Sequence, residues 1–326
     1  PALTATAGPE PVTEVNRRCV CGNARLIDLG ACREPGIGAR GTTLEGELSV
    51  RFEAGRLYRC EQCYLGLRLP CPDPDALESL YRNLPATRWQ NGLLRGSAQQ
   101  YLVKRLSQQQ GLRILDVGAF DGTFLSALPD SFQKFAIEPS DAAVLLEELG
   151  IRNLKSFLQA PTPEEAASFD VVTMFDVFEH LSDPLQGMQN LMGYVRPGGT
   201  LFVGTGNLDH WSWRPNAGGH WYVDPIQHVV FGSRRHFAWQ AVRLKAARFS
   251  CQAFSHHRGS VRQQISQALT TLYFGMRNQS GWRRMAVRLM NSSAFFRSLS
   301  HKDAMPYAQQ LHDHLLAEFV CGEALR

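Results

Sequence analysis

The chain has 326 residues, 44% hydrophobic and 20% charged, enough for one α/β core with an appended module. Its net charge of +4 reads as spread along the chain, without the Lys/Arg stripe of a nucleic-acid binder. No apolar run reaches the roughly 18 residues of a membrane span. Residues 1–16 read as a disordered leader, lacking the basic-then-apolar order of a signal peptide. Six cysteines lie before Asp73, followed only by Cys251 and Cys321. In a large chain read as cytoplasmic, that placement points to metal ligation or buried free thiols, not disulfides.

Residues 17–72 carry the cysteine pairs. Cys19 and Cys21 form C-x-C, and Cys60 and Cys63 form C-x-x-C. Two close pairs separated by a loop suit a tetrahedral thiolate site, and zinc is the expected ion. With all four ligands from cysteine the site would be closed and structural. Cys32 and Cys71 are spare candidates. No thioredoxin-like strand-to-helix context surrounds Cys60, so a redox role is not expected. After the breaker Pro70-Cys71-Pro72-Asp73-Pro74, residues 73–109 read as a helical connector.

From residue 110 to 326 strands alternate with helices. Strands are expected at Arg113–Val117, Lys134–Glu138, Phe169–Met174, Thr200–Gly204, Arg248–His256 and Leu315–Cys321. Helices are expected from Phe124, over Asp141–Leu149, and over Leu185–Val195, the last ended by Pro197-Gly198-Gly199. The alternation implies βαβ units and a parallel, doubly wound Rossmann-like sheet. A helical insertion over about 261–305 separates the last two strands.

The first strand runs into Gly118-Ala119-Phe120-Asp121-Gly122, a turn that brings backbone close to a ligand at a helix start. Glu138 ends the next strand, where a carboxylate can accept both hydroxyls of a ribose. NAD and S-adenosylmethionine compete for such a site. A pyrophosphate cradle wants G-x-G-x-x-G, yet Phe120 stands where the second glycine would lie. Asp116 would repel a pyrophosphate and welcome the cationic amino-acid end of S-adenosylmethionine. The charge match favours the latter.

The segments "LDVGAFDGTFL", "AIEPS" and "FDVVTMFDVFEHLSDP…VRPGGTLFVGT" resemble the successive motifs of class I S-adenosylmethionine-dependent methyltransferases. The resemblance implies that Gly118 and Gly122 line the methionine end, Glu138 takes the ribose, and Phe175 and Asp176 face the sulfonium side. Phe120 departs from a glycine frequent in that family. Glu179-His180 reads either as an acid or base on the acceptor side or as a pair that holds the loop.

With the cysteine module included, "CVCGNARLIDLG" and "RCEQCYLGL" resemble the deoxysugar C-methyltransferases. Ile226–Phe231 resembles their histidine-bearing loop, and His257-Arg258-Gly259-Ser260-Val261-Arg262 their His-Gly-Gly-Ser-x-Arg segment, with Arg258 in place of a glycine. The chain is read as lacking their additional C-terminal domain. Methyl transfer needs a proton acceptor near neutral pH. His228 is the expected base, with Tyr222 and His257 as further catalytic candidates and His220 as a structural or catalytic histidine. Trp211, Trp213, Trp221 and Tyr222 could stack on an acceptor or fill the core. The expected acceptor is a small, sugar-containing or natural-product molecule, methylated on oxygen or carbon, and the C-terminal helices could form a homodimer. A methyltransferase motif for nucleic-acid amines is absent after the Phe169–Met174 strand, where Met174-Phe175-Asp176-Val177 stands. A non-catalytic scaffold is the rival reading.

Overall fold

The computed structural model describes residues 17–32, 41–43, 46–48, 55–83, 96–223, 227–256, 259–277, 281–302, 305–306 and 311–322. The leader and His257 lie outside these described residues.

The N-terminal part forms short strands: β1 (Leu26–Ala31), β2 (Gly41–Thr43), β3 (Gly46–Leu48), β4 (Arg56–Cys60) and β5 (Gly66–Leu69). Two helices follow, α1 (Pro74–Asn83) and α2 (Ser97–Leu106). The alternating region then runs β6 (Arg113–Val117), α3 (Thr123–Ser126), β7 (Gln133–Ile137), α4 (Ala143–Glu148), β8 (Arg152–Lys155), β9 (Phe169–Phe175), α5 (Pro184–Tyr194), β10 (Val195–Gly206), α6 (Trp213–Asn216), β11 (Val230–Phe231), α7 (Arg234–Arg243) and β12 (Arg248–Phe254). Helices α8 (Val261–Arg277), α9 (Trp282–Met290) and α10 (Ala294–Ser300) precede the last strand, β13 (His314–Val320).

Seven strands make the central sheet in the order β12-β13-β10-β9-β6-β7-β8. All neighbours are parallel except β13, which runs antiparallel between β10 and β12. The chain reverses its winding direction between β6 and β9, and crevices at such a switch point bind ligands in open α/β sheets. Both sheet faces are covered. Ile114, Leu115, Val172, Met174, Leu201 and Val203 are accordingly buried, which is why these strands read as unbroken apolar runs.

Local chemistry explains several boundaries. Asp183 caps α5 by accepting from the Leu185 and Gln186 amides, and Pro184 occupies the first turn, where its missing N–H costs nothing. Ser233 caps α7 through the His236 amide. One sequence expectation needs correction, and one strand was not anticipated. Pro197-Gly198-Gly199 does not separate helix from strand: α5 passes directly into β10, whose pairing with β9 shifts register between Val195 and Thr200 and so absorbs the segment. The third strand of the sheet, β8, carries Arg-Asn-Leu-Lys and has too little apolar pattern to be read as a strand.

The cysteine part is not separate from the sheet region. Its four-stranded sheet has the order β1-β4-β5-β11, and β11 comes from the far side of the chain, pairing Val230 with Leu67 and Phe231 with Gly66.

Candidate active site and cysteine cluster

A cavity of about 720 Å³ opens at the C-terminal ends of β6, β7 and β9. The glycine turn forms one end. Gly118 has φ +75°, and a Cβ there would lie 2.2 Å from Val177 Cγ2, so only glycine lets the strand end pass this closely. Phe120 also adopts the left-handed region, at φ +50°. A non-glycine there costs roughly 1–2 kcal/mol, which accounts for the glycine frequent at this position in the family the motif resembles.

Asp116 and Glu138 both line the cavity. Asp116 is buried and accepts from Thr173 Oγ1 at 2.6 Å. Burial, reinforced by the charge of Glu138 and opposed by the Thr173 hydrogen bond, pushes its pKa up to about 7. Glu138 is held by three donors. The Phe120 amide reaches Oε2 at 2.8 Å, and the Ser140 amide and hydroxyl reach Oε1 at 3.0 and 2.6 Å. Its carboxylate is thus fixed in orientation before any ligand arrives. Asp121, Phe175 and Asp176 also line the space. Asp176 sits at φ +52° just after β9, an orientation that turns its side chain into the cavity. Enclosure by the protein and the nearby Glu179 charge push Asp176 up to about 7, against the pull of His314. The described lining residues include no Lys or Arg but several carboxylates. The cavity suits a cation and rejects a pyrophosphate.

The opposite wall gathers Tyr81, Glu179, His180, Trp221, Tyr222, Gln227 and His228. Glu179 is buried, and its carboxylate accepts from Tyr222 Oη at 2.5 Å and Thr205 Oγ1 at 2.8 Å. Burial works against its charge, but His180, His228 and the Tyr222 hydroxyl outweigh that and hold its pKa below the usual carboxylate range. His228 Nδ1 lies 2.6 Å from the Tyr222 carbonyl oxygen, which can only accept, so Nδ1 carries the proton and Nε2 offers a lone pair. The His180 ring stands edge-on to His228, centroids 4.8 Å apart, with Tyr81 Oη 2.7 Å from its Nδ1.

Tyr222 is corrected as a base candidate. Its hydroxyl also accepts the Gly206 amide at 3.0 Å, and burial beside Glu179 raises its pKa well above 10, so it positions others. His220 lies off the cavity, stacked on Trp213 at 4.1 Å and bonded through Nε2 to Ser212 Oγ at 2.8 Å. Of the tryptophans singled out, Trp221 lines the cavity and Trp213 is core. The sequence reading missed a group brought in by β12 and β13: His256 lines the cavity, its Nδ1 lies 2.9 Å from His314 Nε2, and His314 Nδ1 donates to Asp313 Oδ1 at 3.0 Å. Thr173 was also missed. Its β-bridge pairing with Asp116 is invisible before the sheet order is known. So was the wall supplied by α1, through Leu77, Glu78 and Tyr81.

The four cysteines named from spacing converge. Cys19, Cys21, Cys60 and Cys63 place their Sγ atoms within 4.8 Å of one another, with Cys19–Cys63 at 3.4 Å and Cys21–Cys60 at 3.6 Å. Cys32 and Cys71 stand apart from this set. As bare thiols the four cannot ionise together. A hydrogen bond from the Cys63 thiol draws Cys19 down to about 6, burial pushes Cys21 up to about 11, and Cys63 is raised by serving Cys19. A divalent cation would remove this conflict by accepting all four as thiolates. The cluster is tied to the cavity wall: His236 Nδ1 lies 2.9 Å from the Cys63 carbonyl oxygen, Ser233 Oγ donates to the Tyr64 carbonyl, and the Arg68 amide donates to the Val229 carbonyl.

Residues 93–244 match a family model described as a methyltransferase domain. A ubiquinone biosynthesis O-methyltransferase of Actinobacillus pleuropneumoniae is 29% identical over 39% of this chain and 62% of its own length. One from Xanthomonas campestris is 33% identical over 30% of this chain and 44% of its own. The chain thus spans about half the length of the relatives it matches. Among solved structures, a phosphoethanolamine N-methyltransferase 2 of Haemonchus contortus in complex with S-adenosyl-L-methionine is similar with a TM-score of 0.44 and 16% identity, covering 73% of this chain and 56% of that one. Residues 93–244 are thus similar to a methyltransferase domain, and the strand order and the cavity at the switch point agree with that match.

Proposed function

We propose that this protein transfers a methyl group from S-adenosylmethionine to a small-molecule acceptor, most simply a hydroxyl. The single observation that carries this reading is one cavity whose two ends differ in chemistry. One end has the glycine turn with Asp116 and Glu138, and the other has His228 above the Glu179–Tyr222 pair. The residues present fit the cofactor. Glu138 would accept its ribose hydroxyls, Asp116 and Asp176 would meet its cationic end, and the Gly118–Gly122 turn would leave room for it. When bound, the cofactor supplies an electrophilic methyl on a sulfonium.

The remaining work belongs to the chain. His228 takes the acceptor's proton at Nε2, because the Tyr222 carbonyl holds the proton on Nδ1. The buried Glu179 carboxylate stabilises the imidazolium that forms. Tyr81 and Trp221 offer aromatic faces to the acceptor, consistent with a sugar or a ring alcohol. The O-methyltransferase names of its relatives favour oxygen over carbon. The absence of Lys and Arg among the described lining residues favours an acceptor without a diphosphate.

Cys19, Cys21, Cys60 and Cys63 hold a structural zinc ion in this reading. A Zn–S bond of about 2.3 Å in a tetrahedron puts sulfurs about 3.8 Å apart, close to the spacing the cluster already has. All four positions are filled by sulfur, so the ion would do no chemistry on the acceptor.

The test is transfer of labelled methyl from S-adenosylmethionine to a panel of sugars, glycosides and phenolic alcohols, with formation of S-adenosylhomocysteine followed in parallel. Cofactor binding without transfer to any acceptor class would favour the scaffold reading.

A further inference from the structure

The positive charge of the chain is not spread evenly, contrary to the first reading of the sequence. Between Gly259 and Lys302 stand six arginines and one lysine, with no Asp or Glu. The whole chain has 34 Lys and Arg against 30 Asp and Glu, so without these seven the remainder is net negative. This stretch is the α8–α10 insertion between the last two strands.

The same helices expose apolar side chains in register. On α8, Val261, Ile265, Leu269 and Leu272 recur at helical spacing and are all exposed, while Thr271, Tyr273 and Phe274 face inward. On α9, Trp282, Met285 and Leu289 share one face and are 68%, 64% and 71% exposed. Val287, on the other side of α9, is buried with Tyr273, Phe274, Leu299 and Met305 in a small core of the insertion's own. The outward stripe is therefore surplus to the packing of these helices. Arg283, Arg284 and Arg288 are exposed on the same helix, Arg288 bordering the stripe and Arg283 and Arg284 farther round it.

We infer that the α8–α9 face is an interfacial surface that lies on an anionic phospholipid bilayer. An apolar stripe on a helix whose other exposed positions carry arginines is the arrangement that sinks into the headgroup boundary while its long cationic side chains reach the phosphates. Charge decides against a second copy of this chain, because two such faces would bring like charges together. The stripe decides against a nucleic acid, whose backbone rewards the arginines but leaves Trp282, Met285 and Leu289 in water. The surface needs no spanning segment, and among the described residues no helix is long and apolar enough to cross a membrane.

The experiment is co-sedimentation of the full chain with vesicles of phosphatidylcholine mixed with phosphatidylglycerol, and with phosphatidylcholine alone. Partition into the anionic vesicles should exceed that into the neutral ones at least tenfold and fall as salt is added. The W282S/L289S variant and the R284Q/R288Q variant should each lose about tenfold or more, at unchanged melting temperature, since all four side chains are exposed. The inference is overturned if the protein stays in solution with anionic vesicles, binds neutral ones equally, or partitions unchanged in either variant. Tight binding of duplex DNA that survives W282S/L289S would replace it with a nucleic-acid surface. A dimer that W282S/L289S disperses would replace it with self-association.

Discussion

His228 Nδ1 sits 2.6 Å from the carbonyl oxygen of Tyr222, six residues back in the same loop. That contact fixes the tautomer without help from a second side chain and leaves the lone pair on Nε2, the atom proposed to accept the proton. His228→Ala should lower kcat by roughly 10²- to 10⁴-fold and leave S-adenosylhomocysteine affinity nearly unchanged. His228→Asn should do nearly as badly, since an amide cannot take the proton. Wild-type turnover in either would remove His228 from the role and turn attention to His256.

Cofactor binding should release a proton. In the free protein Asp116 titrates at about 7, because burial and Glu138 outweigh the Thr173 hydrogen bond. Its folded pKa is raised, so its neutral form is favoured in the folded state. Its contribution to stability is greatest at acid pH and is lost as pH rises through 7. A cationic ligand reverses that preference. Affinity for S-adenosylmethionine should therefore increase with pH up to about 7 and then level off. Calorimetry in buffers of different ionisation enthalpy should count the proton, and Asp116→Asn should flatten the curve. Glu138→Ala should weaken binding at every pH by ten-fold or more, about 1.4 kcal/mol. Calorimetry with NAD should show no binding.

Tyr222→Phe tests a buried carboxylate. It removes the hydroxyl that donates to Glu179 Oε1 and accepts from Gly206, at a cost of about 1–3 kcal/mol. Glu179 has a depressed pKa, so its contribution to stability is present above the ordinary carboxylate range and is lost as pH falls. The variant should begin to unfold at a higher pH than the wild type in an acid titration followed by circular dichroism. Identical acid transitions would refute the coupling.

Elemental analysis of protein purified without added metal should find about one zinc per chain. Cys60→Ser should lower the melting temperature more than it lowers the turnover of the surviving protein, because a closed site contributes folding energy. Fully active, metal-free protein with a native melting curve would refute the zinc proposal.

The parallel strands were legible where burial on both faces left continuous apolar runs, as in Ile114–Val117 and Phe169–Met174. Strand β8 was not, since an edge strand needs little apolar surface. The glycine turn, Asp116, Glu138, Asp176 and the four cysteines were legible because each sits in a short local pattern. Tyr81 and His256, which line the cavity, and Thr173, His314 and Asp313, which bond within or behind its wall, were not, because only the sheet order and the packing of α1 bring them together. Tyr222 was found but misassigned. Its neighbours in sequence give no sign that a buried Glu179 would claim its hydroxyl.

The backbone around β11 joins residues remote along the chain. Ser233 reaches Tyr64 across 169 positions and His236 reaches Cys63 across 173. A ribosome delivers the cysteines long before it delivers their partners. The small sheet must wait with β5 as an open edge, a state prone to pairing with the wrong strand, until most of the sheet region has been synthesised. Late, non-local closure of this kind slows folding. A fragment ending before residue 230 should therefore be harder to keep soluble than its cysteine cluster alone would suggest, and exchange of this N-terminal part between related chains would have to carry residues 227–236 with it.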